Sequence, residues 1–491
     1  MLPPSSVPEL KASTPFSFLL FGASGNLAQL KIYPALYTLA LKKRLPARFN
    51  VVGFARTPMS DDAFRTLVSQ AIRRDMLEVN EAVLTDFLSH VHYHAGQYDR
   101  TEDFTALHTL LQKLEGKQSD WVRVAYLSVP PSVFTSILTN LSDGGIHQRS
   151  DRGRFRCIVE KPVGSDLASF EAIRSQLMTC FDASEVYLLD HYLGKEAVRN
   201  IYYLRFANPV LERLLKNTLI HHVEITAAET LGIEGRAGYF EQTGMLRDFF
   251  QSHLLLMGAL LTMRIRETED ALLQSRLNAL EQFYLPPARD MNAVLLQGQY
   301  GAGMVGKHEA MAYRSEKGVA PDSRTNTFVA LKLLTRTSRW EGIPFYLRAG
   351  KRLAKKETRV SILFQEPHPV GQGSTPNRLD IILQGEAGMR LHLQTKIGGS
   401  EPAFRPMILE DPLVCVGDCL PEHGLLLLEA IHGKRQWFLT FEEVHAAWRL
   451  MDPLQAHLDR PDVPLHLYPA GSDGPSEASA WLERDGLSWL R

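Results

Sequence analysis

The sequence predicts two fold classes in one chain: an α/β, Rossmann-type unit with a parallel sheet over residues 1–189, then a larger α+β unit with a mainly antiparallel sheet over residues 190–491. Three observations carry this expectation. Short apolar runs alternate with amphipathic stretches in the first part of the chain, the pattern of a sheet covered by helices on both faces. Beyond Asp190 the alternation stops, and long helical stretches give way to extended ones with little helix between them, which favours antiparallel pairing. A length of 491 residues also exceeds what one core ordinarily serves.

Phe16 to Phe21 is an unbroken apolar run, as expected of a buried parallel strand. It ends in Gly22-Ala23-Ser24-Gly25-Asn26-Leu27, and Tyr33 to Leu41 then repeats apolar residues at helical spacing. Strand, glycine turn and helix are the setting in which backbone amides and a helix N-terminus hold a pyrophosphate. Gly22-x-x-Gly25 is shorter than the full G-x-G-x-x-G pattern and also fits a plain tight turn. The next strand, Asn50 to Ala55, ends at Arg56. An acidic residue there favours NAD and an arginine favours the 2′-phosphate of NADP; the alternative is a solvated strand end. Lys31, in the first helix, adds a second positive charge.

Further strands are expected at Val91–His94, Val122–Val129 and Phe155–Val159, with helices at Asp61–Leu77, Phe104–Leu114, Ser132–Leu141 and Ser165–Cys180. Glu160-Lys161-Pro162 closes a strand at the carboxyl edge, where ligands of parallel sheets bind, although X-Pro pairs also punctuate ordinary turns. In the second unit, helices are expected at Asp190–Leu204, Asn208–Leu215 and Phe240–Arg264. Strands are expected at His221–Glu229, Ala293–Tyr300, Phe345–Arg348, Val360–Gln365, Leu379–Gln384 and Leu391–Lys396. Gly298–Gly318 reads as a mobile loop and Pro367–Asn377 as another.

Composition narrows the function. A formal net charge of -1 gives no electrostatic case for nucleic acid or an anionic membrane as partner. Met1–Ser13 lacks the basic start and apolar core of a signal peptide, and the apolar run Leu254–Leu261 is too short to span a bilayer. Of the four cysteines only Cys415 and Cys419 lie close together, and no metal-ligand pattern completes them. Sparse cysteines favour a reducing, cytoplasmic setting.

The densest chemistry lies in Asp190-His191-Tyr192-Leu193-Gly194-Lys195. A helix starting here would use Asp190 as N-cap and place His191 and Lys195, spaced i,i+4, on one face beside the positive helix end, which suits a phosphate. A capped surface helix is the plain alternative. Asp248 and His253 follow in a second mixed polar and apolar segment.

These motifs together resemble the glucose-6-phosphate dehydrogenase family. The resemblance runs through FGASGNLAQLKIYPALY, VGFART, IVEKPVG, DHYLGKE, LRFAN, EGRAGYFEQTGMLRDFFQSHLLLM, TFVALKL, RWEGIPFYLRAGKRL, VHAAWRLMDPL and YPAGSDGP, in the family's order and over nearly the whole chain. It implies that Asp190 and His253 form a catalytic dyad. His253 would take the proton of the sugar's anomeric hydroxyl, and Asp190 would orient its ring. It further implies that His191 and Lys195 bind the substrate phosphate with Tyr192 as an added donor. Lys161 would lie near substrate and nicotinamide, with a cis bond before Pro162. Glu229 and Asp248 would accept sugar hydroxyls. Lys351 and Lys356, and less directly Gln384, would add substrate contacts. Gly22, Ser24, Gly25, Asn26, Leu27, Lys31, Arg56 and Lys161 would hold NADP. The resemblance implies a homodimer or homotetramer assembled through the larger sheet, and no catalytic metal.

The chain departs from the family's pattern at several positions. Asn26 stands for the usual loop Asp, Gln29 and Leu30 for lysines, Leu188 for an Arg, Asn326 for a Glu, and Pro421-Glu422-His423-Gly424 for a Pro-Glu-Ala-Tyr segment. Three readings follow: an NADP-linked glucose 6-phosphate dehydrogenase, a related sugar dehydrogenase with relaxed cofactor use, and a non-catalytic NADP-binding regulator.

Overall fold

The computed structural model describes residues 14–116, 121–147, 154–366, 375–413, 415 and 419–490, and the chain divides into two compact units. The first contains the residues up to Glu196. It is built on a six-stranded parallel sheet in the order β3-β2-β1-β4-β5-β6, where β1 is Phe16–Phe21, β2 Phe49–Ala55, β3 Val91–Ala95, β4 Val122–Leu127, β5 Phe155–Glu160 and β6 Val186–Leu189. Every residue of β1 and β2 is buried, as continuous apolar runs covered on both faces require. Helices α1 (Tyr33–Leu41), α2 (Asp61–Asp75), α3 (Glu81–Ser89), α4 (Thr101–Glu115), α5 (Phe134–Asp143) and α6 (Leu167–Cys180) supply the cover. Their starts are chemically marked: Ser60, Asn80 and Asp166 each accept a side-chain bond from an amide three residues on.

The expected helix Asp190–Leu204 does not form as one piece. The Asp190 carboxylate accepts from the Tyr192 amide at 2.8 Å, only two residues away, and closes a tight turn over His191–Gly194. Lys195 is extended (φ -79°, ψ 121°) and a new helix, α7 (Glu196–Ala207), starts after it. Short-range capture of an amide by an Asp side chain competes with regular helix, so His191 and Lys195 do not share a helical face.

The second unit has a ten-stranded mixed, mostly antiparallel sheet. Its strands are β7 (Ile220–Ala228), β8 (Phe283–Tyr284), β9 (Leu295–Gly301), β12 (Phe328–Thr335), β13 (Phe345–Gly350), β14 (Glu357–Phe364), β15 (Arg378–Gln384), β16 (Gly388–Lys396), β17 (Phe404–Pro412) and β18 (Leu465–Pro469). The order is β17-β16-β15-β14-β7-β13-β12-β9-β18, with β8 beside β12. Two neighbouring pairs, β7–β13 and β9–β18, are parallel. The stretch expected to be a mobile loop is instead built into the fold: Gly298–Gly301 belongs to β9, and β10 (Gly303–Val305) and β11 (His308–Ala310) form an antiparallel ribbon. Residues 367–374 of the other expected loop lie outside the described residues.

Helices α8 (Pro209–Leu214), α9 (Ala237–Met245), α10 (Leu255–Thr262) and α11 (Glu269–Glu281) belong to this unit. The helix expected over Phe240–Arg264 is interrupted. Gly244 (φ +61°) breaks it, and Leu246–Leu254 winds in wide, π-type turns before α10. Asn326 stabilises the break from another part of the chain, its Oδ1 accepting from Met245 N–H at 2.8 Å and Leu246 N–H at 3.4 Å. The Met245 amide also donates to Asn326 O at 3.0 Å, so one residue holds the start of the new helical segment by both its side chain and its backbone.

Residues Cys415–Phe441 then pack with the first unit, so that unit is built from two stretches of chain. Cys415 and Cys419 are joined in a disulfide, and Cys157 and Cys180 are buried thiols. Helix α12 (Glu422–His432) starts at the divergent Pro421-Glu422-His423-Gly424 segment and packs on α1 and the turn after Asp190. Helix α13 (Phe441–Leu458) leads back to the second unit, where Glu443 meets the fully buried Arg276 at 2.5 Å. Among the described residues no helix is long and apolar enough to cross a membrane.

Candidate functional site

The residues singled out from the sequence fall into two sets, each organised within its own unit. In the first unit the glycine loop follows β1. Gly22 takes φ +84°, donates its amide to Phe54 O at 3.0 Å and accepts from Gly25 N–H at 2.9 Å. A Cβ on Gly22 would lie 2.2 Å from Ser128 O, so no other residue fits this turn. Asn26 and Leu27 open the helical segment, with Asn26 and Lys31 exposed to solvent. Gln29, one of the departures, is used structurally: its amide donates to Ser24 O at 2.9 Å and its Oε1 accepts from Arg74 at 3.4 Å.

Arg56 is exposed at the end of β2, its guanidinium 5.9 Å from the centre of the Tyr98 ring. Burial pushes the Tyr98 phenol pKa up, while Arg56 and the Gly22 amide pull it down. A tight glycine turn leading into a helix N-terminus, a cation at the second strand's end and an adjacent aromatic ring suit an anionic dinucleotide. These residues therefore fit a pyridine nucleotide cofactor.

At the carboxyl edge of the same sheet, Glu160 ends β5. The Tyr126 hydroxyl donates to its carboxylate, and His423 of α12 lies 3.4 Å from it. Burial first, and the Glu160 charge second, push the Tyr126 phenol far above its ordinary pKa and keep it a donor. Lys161 follows, and its bond to Pro162 is cis. At the end of β6, Asp190 is wholly buried. Tyr192 is buried beneath Lys195, whose ammonium lies 3.9 Å from the ring centre, and the His191 ring meets Tyr192 edge-on at 5.0 Å.

In the second unit, β13 and β7 run parallel with Gly350 beside Ala228, which brings Lys351 and Glu229 together at the ends of both strands. Lys351 Nζ lies 2.5 Å from Glu229 Oε2, and the lysine is 2% exposed. Its backbone is held from both sides: its amide donates to Thr327 O at 2.9 Å and its carbonyl accepts from the Tyr468 hydroxyl at 2.7 Å. Asp248 and His253 both lie on the wide-turn segment. Asp248 accepts from the Tyr239 hydroxyl at 3.1 Å. Burial, with Asp248 as the second cause, holds that phenol well above its ordinary pKa. His253 is buried, with the Phe249 ring edge-on at 5.7 Å.

Lys356 is exposed just before β14, and Gln384 accepts from the Thr358 hydroxyl at 3.2 Å. Sequence reasoning missed three supporting residues: Tyr239, Tyr468 and, in its capping role, Asn326. The polar tips of the tyrosines gave no periodic signal. Asn326 stood out only as a departure.

Known proteins match this chain over nearly its full length. Residues 19–200 match the model of the NAD binding domain of glucose-6-phosphate dehydrogenase, and residues 202–490 match that of its C-terminal domain. The glucose-6-phosphate 1-dehydrogenase of Chlamydia pneumoniae is 37% identical, covering 97% of this chain and 96% of its own length. That of Bacillus subtilis is 34% identical, covering 96% and 97%. Among solved structures, a glucose-6-phosphate dehydrogenase in complex with its substrate glucose-6-phosphate superposes with a TM-score of 0.89 at 29% identity, covering 99% of this chain and 100% of its own. The Mycobacterium avium enzyme gives 0.83 at 29% identity, covering 98% and 99%.

Proposed function

Because the chain belongs to the glucose-6-phosphate dehydrogenase family, we propose that it oxidises glucose 6-phosphate at C1 to 6-phosphogluconolactone, with the hydride passing to NADP. This is the entry step of the oxidative pentose phosphate route. The observation that carries the reading is a wholly buried carboxylate, Asp190, at the carboxyl end of a parallel-sheet strand, followed at once by His191, Tyr192 and Lys195. A buried carboxylate is costly unless it is given work and partners.

In this reading His253 is the general base that takes the anomeric proton, and Asp190 orients its imidazole and stabilises the charged form. When bound, the nicotinamide supplies the hydride acceptor. Gly22, Ser24, Gly25, Asn26 and Leu27 hold the pyrophosphate, Lys31 adds charge, and Arg56 takes the 2′-phosphate. His191 and Lys195 bind the sugar phosphate, with Tyr192 fixing Lys195 from below. Lys161 orients substrate against the cofactor. Glu229 and Asp248 accept sugar hydroxyls, and Lys351, Lys356 and Gln384 complete the substrate side. Lys351 holds Glu229 in place by an ion pair, and Tyr239 holds Asp248 by a hydrogen bond.

In the same reading the enzyme works in the cytoplasm as a homodimer or homotetramer. The nine-residue edge strand β17 supports assembly through the larger sheet, since it exposes Ile408 and Leu409 at 52% and 51%.

The test is steady-state reduction of NADP and NAD with glucose 6-phosphate and with glucose. His253→Ala should lower kcat by about 10²–10⁴-fold while sugar-phosphate binding persists. Arg56→Ala should lower kcat/KM with NADP far more than with NAD. No turnover of folded protein with either cofactor would sink the reading and favour a binding-only regulator. An unchanged cofactor preference in Arg56→Ala would remove Arg56 from the cofactor site.

A further inference from the structure

A cavity of about 660 Å³ within the second unit opens where α10 ends, against α11 and the turn that follows β12. Three arginines line it, Arg264, Arg266 and Arg336, and no carboxylate does. In a chain with 54 basic and 55 acidic residues, that separation of charge is unusual. All three residues are exposed, and among the described residues none of them enters an ion pair; the acidic residues next in sequence, Glu267, Glu269 and Asp270, lie outside the lining.

The backbones that carry the arginines are fixed. Ser275 Oγ donates to Arg264 O at 2.8 Å, Arg266 N–H donates to Tyr202 Oη at 3.2 Å, and Arg336 N–H donates to Gln282 O at 3.1 Å. The Arg336 guanidinium is also stacked 4.1 Å from the centre of the Tyr284 ring. Three guanidinium groups lining one cavity give it a positive field that favours an anion, and planar forks match phosphate oxygens two at a time. The carbonyls at the α10 C-terminus would oppose an anion, but Arg205 already covers those of Leu260 and Met263, both at 2.8 Å. The lining includes no His, Cys, Lys, Asp or Glu, so the cavity has the means to bind but not to catalyse.

We propose that this cavity is a binding site for a small metabolite carrying two or more phosphate groups, separate from the sugar-phosphate site. Lys351 lies beyond the Gly350 end of β13, which pairs with Phe328 of β12, whereas Arg336 follows Thr335 at the other end of β12. Eight residues of strand put on the order of 25 Å between them. Helix α10 links the cavity to the segment carrying His253, with Leu255 at one end and Thr262 at the other.

Inorganic pyrophosphate titrated into the whole protein by calorimetry tests this. Excess glucose 6-phosphate and NADPH, a pair that cannot turn over, are included to fill the other phosphate sites. Saturable binding that weakens with added salt is expected. Each single change, Arg264→Ala, Arg266→Ala or Arg336→Ala, should weaken it by about tenfold. His191→Ala should leave it unchanged, and the triple arginine variant should keep its turnover in the absence of pyrophosphate. Binding that survives in the triple variant, is lost in His191→Ala, or is not detectable at millimolar pyrophosphate would overturn the proposal. Because the arginine and His191 variants are read separately, failure here is distinct from failure of the dehydrogenase reading.

Discussion

The two sheets of this molecule handle polar groups in opposite ways. In the parallel sheet, β1 and β2 are buried from end to end, and their only internal polar pair is Asn50 donating to Ser17 at 3.3 Å. The residues proposed for its chemistry sit at strand ends: the loop after Phe21, Arg56 after β2, Lys161 after β5 and Asp190 after β6. The mixed sheet has two unlike faces. On β7, Val223, Ile225 and Ala227 point to an apolar face, while His222, Glu224 and Thr226, also buried, point to the other. Register extends the polar row across neighbouring strands through Tyr346, Glu224, Ser361 and Asp380. The chain's last described residues cover this row. Leu490 N–H donates to Glu224 at 3.1 Å, and Arg348 stacks on Trp489 at 4.4 Å. A sheet covered by helices on both faces can confine function to its rim, whereas a sheet with a buried polar face depends on a hydrogen-bond network for its stability.

Removing a network member is therefore expected to produce the largest loss. Asp380 is 1% exposed and is engaged by Ser361 at 2.6 Å, His392 at 2.9 Å and Arg378 at 3.0 Å. Asp380→Leu should cost about 3 kcal/mol, the lower end of the range for breaking a buried pair, because Arg378 keeps some contact with water. Urea unfolding followed by a probe in β14 or β15 measures this. A loss below about 1 kcal/mol would show that the polar row is decoration rather than support.

The next effect concerns the segment that carries Asp248 and His253. Asn326→Leu removes the side-chain acceptor shared by the Met245 and Leu246 amides, of which Met245 keeps the residue-326 carbonyl, and should cost about 1–2 kcal/mol. It should also lower kcat more than it raises KM, since the break at Gly244 would be held by the backbone bond alone. Unchanged kinetics in a destabilised variant would reduce Asn326 to a structural role. The corresponding change in the parallel sheet, Ser17→Ala, removes one long bond and should cost about 0.5–1.5 kcal/mol with no change in kcat. If Ser17→Ala cost as much as Asp380→Leu, the contrast between the sheets would fail.

The same contrast explains what could be read from the sequence. Phe16–Phe21 was legible to the residue because nothing but a buried strand explains six apolar positions between a loop and a glycine turn. β6 was missed, because Val186–Leu189 is only four residues long and runs straight into Asp190, whose capping chemistry pointed forward to a helix. The helix expected from Phe240 to Arg264 had the right composition, but its break depends on Asn326, more than eighty residues later. The arginine cavity was invisible for the same reason: Arg264 and Arg336 meet only after β12 and α10 are in place. The proposed catalytic and phosphate residues rest on the resemblance of their motifs. Residue types and spacing alone supported no more than a capped helix and a glycine turn.

The smallest expected effect is a difference in acid sensitivity between the two sheets. On β3, His92 and His94 are half-buried, and burial lowers both pKa values below the ordinary histidine value, with Asp61 partly offsetting this at His92. The His94 Nε2 lies 2.9 Å from Asp103 O, a bond that the neutral ring makes as donor. Burial also lowers the pKa of His432 in α12, with Lys434 and Arg156 adding to the shift. All three belong to the first unit; in the second, the histidine lowered in this way is His221, which is exposed at the start of β7. A histidine with a depressed folded pKa favours the fold fully above its unfolded pKa, near 6.5, and that contribution is lost as pH falls through the folded value. Between pH 7.5 and 5.5, amides of β2 and β3 should therefore lose hydrogen-exchange protection before those of β7 and β14. The double variant His92→Gln, His94→Gln should flatten that dependence while leaving the pH 7.5 protection of β7 unchanged. Equal acid loss in both sheets, or an acid limb that persists in the double variant, would show that carboxylates rather than these histidines set the response.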